Sequence, residues 1–205
     1  MSNLCRLTYG RLIAAMLLVA AASSTAFAGF DEGVSAFERK DYEAALRELR
    51  AAAQNGDAGA DYYLGRMYLM AEGVAADYKQ AVRYFRKAAA KGNANAQFYL
   101  GVLYYLGEGV SRDYSEAVKW YAAAAAQGDP DAQYYLGVMY ASGEGVRRDH
   151  VTALMWLDLA AAGGNETAQA FRKLIARTMT PDEISEAGRQ SRERMTTPRK
   201  LKSDQ

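Results

Sequence analysis

The sequence predicts an all-α protein built from stacked pairs of antiparallel helices. Three consecutive segments of 36 residues, 58–93, 94–129 and 130–165, are similar to one another along their whole length. Self-similarity at a fixed period is typical of solenoid proteins, in which each repeat packs only on its neighbours. Apolar residues in each segment follow a helical spacing, and no stretch shows the alternation of a half-buried strand. We therefore expect about ten helices and no sheet.

The first helix of each repeat is predicted from four positions that are identical in all three copies. These positions follow one another at steps of four, one and three residues, so they share one helix face and are expected to be buried. A glycine inside a helix lowers the stability of that helix by about 1 kcal/mol relative to alanine. Its recurrence in all three copies therefore indicates that a neighbouring helix approaches too closely for a side chain. The four positions are Ala60, Ala96 and Ala132; Leu64, Leu100 and Leu136; Gly65, Gly101 and Gly137; and Tyr68, Tyr104 and Tyr140.

Glycine-containing turns are predicted to end both helices of each repeat. The sequence is Ala-Glu-Gly-Val at 71–74 and Gly-Glu-Gly-Val at 107–110 and 143–146. Glycine readily adopts the left-handed conformation that closes a helix. A second set of glycines is expected to end the second helix, and a polar residue after each is expected to cap the next first helix. These pairs are Gly92-Asn93, Gly128-Asp129 and Gly164-Asn165.

The second helix of each repeat is predicted to begin at an aspartate N-cap and to bury an aromatic side chain. Aspartate at this position accepts a hydrogen bond from an unpaired backbone N–H of the first turn. Gln80 and Glu116 lie three residues after their caps and are expected to complete a capping box, whereas the third copy has Thr152. The predicted caps are Asp77, Asp113 and Asp149, and the predicted buried residues are Ala81, Ala117, Ala153, Tyr84, Trp120 and Trp156.

Residues 1–28 have the features of a secretory signal peptide. Two arginines precede an apolar run over residues 12–22, and the small residues Ala26 and Ala28 match a signal-peptidase site. We expect cleavage after Ala28 and a periplasmic or secreted protein; an uncleaved anchor is the alternative, but the apolar run is short for a membrane span. Because Cys5 is the only cysteine, the exported chain has no disulfide and depends on packing alone.

The segments that flank the repeats are predicted to cap the array. Residues 29–57 match the later repeats at the same 36-residue offset and carry more charge, so we expect an N-terminal capping half-repeat. Residues 166–195 are predicted to contain a partial repeat and a capping helix that begins at Thr180-Pro181. Residues 196–205 show no periodicity and predict a disordered basic tail.

Composition argues against several functional classes. The net charge of +1 becomes about −1 once a signal peptide with two arginines and no acid is removed, which does not favour nucleic-acid binding. One histidine and one cysteine do not assemble a transition-metal site or a serine–histidine pair. His150 stands where the other copies have Tyr78 and Tyr114, so we interpret it as a surface or packing variant. We predict no catalytic, cofactor-binding or metal-binding residue.

The three segments 58–93, 94–129 and 130–165 resemble the Sel1-like repeat family, a relative of the tetratricopeptide repeat. The resemblance implies a right-handed α-solenoid whose first helices line the concave side. It also implies a non-enzymatic scaffold or adaptor that binds a protein or peptide partner in the cell envelope. We expect the exported chain to be a monomer without cofactor, stable membrane anchor or nucleic-acid partner.

The sequence is also compatible with two alternative functions. A module that binds cell-wall glycan or peptidoglycan is one, because aromatic side chains stack on sugars. A β-lactamase-like hydrolase is the other, because some cysteine-rich members of the resembled family are described as β-lactamases. That branch of the family depends on paired cysteines in each repeat, which the sequence after Ala28 lacks.

The predicted partner-binding surface consists of first-helix positions that vary among the three copies. They form a second stripe beside the recurring one, which is aromatic and apolar except for Arg66, and aromatic side chains are enriched at protein interfaces. Part of this stripe is alternatively core between repeats. Tyr105 is the best single candidate, because the next copy accepts Ala141 there; we expect its truncation to weaken binding with little change in stability. The predicted residues are Tyr62, Arg66, Phe98, Val102, Tyr105, Tyr134 and Val138.

Overall fold

The computed structural model describes residues 29–196, which contain ten helices and no β-strand. The predicted all-α class is confirmed. The predicted signal peptide and all but the first residue of the predicted tail lie outside the described residues. The helices are α1 (residues 29–38), α2 (Tyr42–Gln54), α3 (Ala58–Met70), α4 (Tyr78–Ala90), α5 (Ala94–Leu106), α6 (Tyr114–Ala126), α7 (Pro130–Ser142), α8 (His150–Ala162), α9 (Glu166–Ala176) and α10 (Pro181–Thr196).

The chain divides into two compact units, with the boundary after Asp77. In the earlier unit, α2 packs against α3. In the later unit, each helix from α4 to α8 packs against the next helix along the chain. This consecutive packing is what a repeat array requires, since every helix pair buries its apolar face on its neighbours.

In the later unit, helix caps form where the sequence predicts them. An oxygen of each cap side chain accepts a hydrogen bond from the backbone N–H three residues later, at 2.8 to 3.1 Å. The caps with this bond are Asn93, Asp113, Asp129, Asp149 and Asn165. At the start of α10, Thr180 and Glu183 form a capping box, in which the N–H of Thr180 donates to Glu183 at 2.8 Å.

The capping box predicted at Glu116 is wrong. The backbone N–H that it would bind, that of Asp113, already donates to the carbonyl oxygen of Tyr104 at 3.0 Å, and the Glu116 side chain pairs with Lys119. The same backbone bond is present in all three repeats, where it joins the first helix to the aspartate before the second helix. It runs from Asp77 to Tyr68 at 3.0 Å and from Asp149 to Tyr140 at 2.9 Å.

The recurring alanine, leucine and glycine of the first helix are buried in all three copies, but the recurring tyrosine is only half-buried. The prediction of full burial is therefore wrong for this position. Its hydroxyl lies at the surface beside an arginine, which donates a hydrogen bond to it in two copies. Arg50 donates to Tyr68 at 3.3 Å, and Arg86 donates to Tyr104 at 2.5 Å.

The glycine of the first helix receives the large side chain of the second helix. A Cβ at Gly101 would lie 2.6 Å from ring carbons of Tyr121, and one at Gly137 would lie 2.9 Å from Cγ of Leu157. The predicted close approach at this glycine is confirmed. Tyr121 is 1 % exposed, and its ring stacks on Tyr135 of the next repeat with centroids 5.3 Å apart.

The large buried residue of the second helix lies one position later than predicted. Phe85, Tyr121 and Leu157 are almost completely buried, whereas Tyr84 and Trp120 are half-buried. A step of one residue turns a helical side chain by about 100°, so only the later position faces the first-helix glycine.

The closing helix α10 packs against α8 rather than against α9. It therefore does not repeat the pairing of α7 with α8. Ala187 and Ser191 are its buried residues, and the guanidinium of Arg194 lies 4.6 Å from the centroid of the Trp156 ring. This extra cover explains why α8 buries residues 153–157 consecutively, including the predicted Trp156.

The second glycine of the Gly-Glu-Gly turn touches the backbone of the preceding repeat. A Cβ at Gly109 would lie 2.4 Å from the carbonyl oxygen of Tyr78, and one at Gly145 would lie 2.4 Å from that of Tyr114. Both contacted residues begin a second helix. The turn thus fixes the spacing between successive repeats.

We expect Gly109→Ala to destabilise the fold more than Gly92→Ala. Both glycines have positive φ, +70° and +87°, so both substitutions carry the left-handed penalty of about 1–2 kcal/mol. Nothing lies within 4 Å of a Cβ at Gly92, whereas at Gly109 it meets backbone atoms, which adds about 1–3 kcal/mol. Urea unfolding followed by circular dichroism measures the difference; equal midpoints would show that the turn shifts freely.

Gly101→Ala is expected to lower the melting temperature although alanine favours helix by about 1 kcal/mol. The added carbon collides with the Tyr121 ring, which Tyr135 holds from the other side. Gly188→Ala in α10 is the matched control, because only the flexible end of Arg192 lies near, at 3.3 Å. The control is expected to be neutral or stabilising. If the two variants have the same melting temperature, the contact between Gly101 and Tyr121 does not constrain the core.

Candidate interaction surface

The residues predicted to bind a partner all lie on first helices, and all are half-buried. The earlier unit holds Tyr62 and Arg66 on α3. The later unit holds the other five. Whether these side chains bind a partner stays a prediction. Those in the later unit are Phe98, Val102 and Tyr105 on α5, and Tyr134 and Val138 on α7.

Contacts within the earlier unit hold Arg66 in place. Its guanidinium lies 4.6 Å from the centroid of the Phe37 ring, and its Nε lies 3.8 Å from a carboxylate oxygen of Glu72. Tyr62 packs edge-on against Tyr63, with ring centroids 5.4 Å apart. The single charge of the predicted stripe is therefore fixed in position by an aromatic ring and a carboxylate of its own unit.

Aromatic contacts join the first helices of the later unit into one surface. The ring centroids of Phe98 on α5 and Tyr135 on α7 are 5.9 Å apart. The ring centroids of Tyr134 on α7 and Phe171 on α9 are 6.3 Å apart. We call the face that these helices share the first-helix surface. Its residues are Phe98, Val102, Tyr105 and Leu106 on α5, Tyr134, Tyr135 and Val138 on α7, and Phe171 on α9. Leu106, at the end of α5, is 54 % exposed on it.

Tyr105 packs between repeats as well as facing the surface. Its hydroxyl donates to the Glu144 carboxylate at 3.3 Å, and its ring centroid lies 5.1 Å from that of Tyr114. Burial, followed by the nearby charge of Glu144, raises the pKa of the Tyr105 hydroxyl, so it stays protonated as a donor. This side chain links α5 to the turn of the next repeat. Tyr105 therefore belongs in part to the core between repeats, which was the alternative interpretation of this stripe.

A cavity of about 290 Å³ lies at the C-terminal end of the first-helix surface. Val138 is the one predicted residue that lines it. The sequence did not predict this cavity, because half of its lining residues come from the partial repeat. The 36-residue offset was the available signal, since it places Leu174 at the position of Val138. The remaining lining residues are Ala141, Ser142, His150, Phe171, Leu174, Ile175 and Thr178.

The described residues show neither a metal centre nor a membrane span. Between residues 29 and 196, no group of three or more His, Cys, Asp or Glu side chains is placed to hold a metal ion. No helix of that range is long and apolar enough to cross a membrane. In the later unit, the first-helix surface available to a ligand is aromatic and half-exposed, and it ends in an apolar cavity.

Comparison with known proteins identifies the repeat. A family model described as Sel1 repeat matches residues 58–93, 94–129 and 130–165. The crystal structure of a Sel1 repeat protein from Oxalobacter formigenes is 34 % identical with a TM-score of 0.67, and the match covers 69 % of this chain and 58 % of that one. A protective antigen present in uropathogenic Escherichia coli strains, c5321, which displays an SLR fold, is 29 % identical with a TM-score of 0.60, covering 85 % of this chain and 46 % of that one. The chain thus spans about half the length of these two structures. No curated protein gives a significant match.

Substitutions at Tyr105 are expected to separate its hydroxyl from its ring. Tyr105→Phe removes only the bond to Glu144 and should cost less than about 1 kcal/mol of stability. Tyr105→Ala also removes the ring contact with Tyr114 and should cost about 1–3 kcal/mol, which revises the expectation that truncation leaves stability unchanged. Thermal melts measure both, with Leu106→Ala as the exposed neighbouring control. A Tyr105→Ala variant as stable as this control would show that the ring does not support the fold.

Proposed function

We propose that this chain, which belongs to the Sel1 repeat family, is a scaffold or adaptor without catalytic activity that binds a protein or peptide partner. The three matched segments cover more than half of the chain, and the resemblance read from the sequence is thereby confirmed. The proposed binding site is the first-helix surface. The proposed place of action is the cell envelope or the exterior, which rests on the signal peptide predicted in residues 1–28.

The observation that supports binding is the character of the first-helix surface. Its side chains are aromatic and apolar, and they remain half-exposed although neighbouring positions of the same helices are completely buried. Large apolar surfaces that stay exposed on a folded protein are typical of interaction sites. Ring contacts such as Phe98 with Tyr135 hold the surface in one conformation, which lowers the entropic cost of binding.

A glycan-binding module is the second candidate, and Tyr135 is the observation that favours it. This ring is 38 % exposed and stacks on Tyr121, so it offers a fixed aromatic face to a sugar. A β-lactamase-like hydrolase has no comparable support. The paired cysteines of that branch are absent, since Cys5 is the single cysteine of the sequence.

Capture of a partner from envelope extract is expected to depend on the first-helix surface. The full chain would be expressed with its own N-terminus, purified from the envelope fraction and used as bait. Leu106→Asp combined with Val102→Ser should abolish capture, because a charge then interrupts the apolar surface. Ile184→Asp on α10 places the same charge at another exposed apolar residue and should leave capture intact. Mass spectrometry identifies the captured proteins.

Three outcomes would contradict parts of this proposal. Equal capture by both variants would remove the first-helix surface from the interaction. Sedimentation of the wild-type chain with purified peptidoglycan, without any captured protein, would favour the glycan-binding alternative. A bait whose N-terminus is still Met1 would contradict cleavage after Ala28. Circular dichroism identifies a variant that unfolds, and Leu106→Asp alone, at a largely exposed position, then replaces the double variant.

A further inference from the structure

We propose that a second cavity of the later unit binds a small phosphate monoester, whose phosphate lies against basic side chains and whose remaining part lies against apolar ones. This cavity of about 660 Å³ is formed by α8, α9 and α10. We call it the basic cavity, after Arg172, Lys173 and Arg192, which line it. It shares no lining residue with the first-helix surface, so the inference goes beyond the proposed function.

The basic cavity exists because α9 has no second helix of its own packed against it. In the preceding repeats, α5 packs on α6 and α7 packs on α8. The described chain continues after α9 into α10, which packs on α8 instead. The face of α9 that would otherwise meet a second helix therefore borders the cavity, and Arg172 and Lys173 lie on it.

Arg172 and Lys173 occupy positions that carry uncharged, buried residues in the other repeats. At the 36-residue offset they correspond to Leu136 and Gly137, which are both buried on α7. The glycine receives the side chain of Leu157 from the second helix. In α9 this packing is absent, and the same two positions place two adjacent cations in the wall of a cavity.

The third cation reaches the basic cavity from α10. A Cβ at Gly188 would lie 3.3 Å from Nη1 of Arg192, so the Arg192 side chain extends one helical turn back along α10 and covers this glycine. Gly188 itself lines the cavity. The guanidinium of Arg192 therefore belongs to the cavity wall.

Positive charge predominates among the residues that line the basic cavity. Within residues 29–196, its one acidic lining residue is Asp158, and this carboxylate pairs with Arg172. Three positive charges less one negative charge leave the lining with a net charge of +2. Neither the Lys173 ammonium nor the Arg192 guanidinium forms a hydrogen bond or an ion pair in that range. Both are available to a ligand.

The acidic residues of α10 lie outside the lining. The four are Asp182, Glu183, Glu186 and Glu193. Glu183 accepts hydrogen bonds from Thr180 in the capping box, and Glu186 and Glu193 both pair with Arg189. Exposure to water alone would suit acids and bases equally, whereas the lining selects the basic residues of this helix. An anionic ligand complements such a wall.

The charge and the donors of the lining fit a phosphate better than a carboxylate. A phosphate monoester carries a charge of about −1.5 to −2 at pH 7, which balances the net charge of the wall, whereas a carboxylate carries only one negative charge. Arginine and lysine are the usual side chains that bind phosphate. Ser185 and Ser191 also line the cavity. Ser191 is 3 % exposed, and its hydroxyl forms no hydrogen bond within the described range, so it is free to donate to a phosphate oxygen.

An apolar part of the basic cavity lies beside the cations. The turn 163–165 makes α8 and α9 antiparallel neighbours, and the ion pair of Asp158 with Arg172 aligns them. Leu154, one turn before Asp158, and Ala176, one turn after Arg172, therefore lie on the same side of this ion pair, and both line the cavity. Ile184 adds a further apolar side chain.

The volume of the basic cavity also exceeds what a free phosphate needs. A volume of about 660 Å³ is roughly twenty times the ~30 Å³ that one water occupies in the liquid, and it lies within the usual range of small-molecule sites. A phosphate that carries an apolar group uses both parts of the lining. The segment 197–205 does not complement this wall, since it carries Arg199, Lys200 and Lys202 against Asp204.

Isothermal titration calorimetry of the full exported chain with phenyl phosphate tests the inference. Inorganic phosphate is the first control, because it lacks an apolar part. Benzoate is the second control, because it keeps the ring but carries one negative charge. We expect phenyl phosphate to bind at least about tenfold more tightly than either control, and added salt should weaken its binding.

Two variants locate the ligand in the basic cavity. Lys173→Gln combined with Arg192→Gln is expected to weaken phenyl phosphate binding at least about tenfold. Arg177→Gln combined with Arg189→Gln is the matched control and should leave binding unchanged, because it removes one charge from the end of α9 and one from α10 outside the lining. All four residues are exposed, so the fold tolerates both variants. Ile184→Asp, which places a negative charge in the apolar part, is expected to abolish binding.

The inference is overturned if phenyl phosphate does not bind, if either control compound binds as tightly, or if the variant at Lys173 and Arg192 binds normally. Binding of the chain to phosphatidylcholine vesicles that contain phosphatidic acid, without binding of phenyl phosphate, also overturns it and assigns the positive charge to a membrane surface. Circular dichroism identifies a variant that unfolds, and Lys173→Gln alone then replaces the double variant.

Failure of the proposed function gives a different pattern. Ile184→Asp is expected to retain capture of a partner while it loses phenyl phosphate, because the two sites share no residue. If phenyl phosphate binds as expected and capture does not depend on Leu106 and Val102, only the proposed function is contradicted. If capture depends on these two residues and phenyl phosphate does not bind, only the present inference is contradicted.

Discussion

The packing of the later unit depends on the contact between a first-helix glycine and the large side chain of the second helix. Because Gly101 has no Cβ, the Tyr121 ring lies directly on the α5 backbone and leaves its other face to Tyr135 of the next repeat. One side chain thus packs within its own helix pair and between two repeats. Leu157 occupies the same place opposite Gly137, so the contact needs a large apolar group but not a ring. Stability in such an array is a sum of contacts between neighbours.

Local features of the sequence predicted most of the fold, because they act over a few residues. The 36-residue period, the cap residues and the turn glycines together placed the helices. The sequence did not reveal which of two adjacent large residues is buried, as at Trp120 and Tyr121. That choice depends on how two helices dock, and both residues are large and apolar enough for the core. The docking of α10 on α8 is likewise a long-range contact without a local signal.

The candidate surface was only partly accessible to the same reasoning. Comparison of the copies correctly separated three positions that stacking fixes, and it predicted that the variable positions serve a partner. Tyr105 shows the limit of that argument, because it varies among copies and still packs on Tyr114 and bonds to Glu144. A variable position can thus be paired with another variable position in the next repeat. The cavity was not foreseen, since its wall combines α7 and α9 with the end of the array.

The docking of α10 determines where an array of this kind can lengthen. A further 36-residue unit inserted after Asp129 would meet a first helix on one side and a second helix on the other, as every internal repeat does. A unit inserted after Asn165 would place its own second helix before α10, so the packing of α10 is kept only if that helix carries the residues of α8 that α10 covers, such as Trp156. Lengthening therefore keeps this end intact only where a copy of α8 remains next to the partial repeat. The cavity beside Leu174 would keep its neighbours through such internal duplications, while the first-helix surface before it became longer.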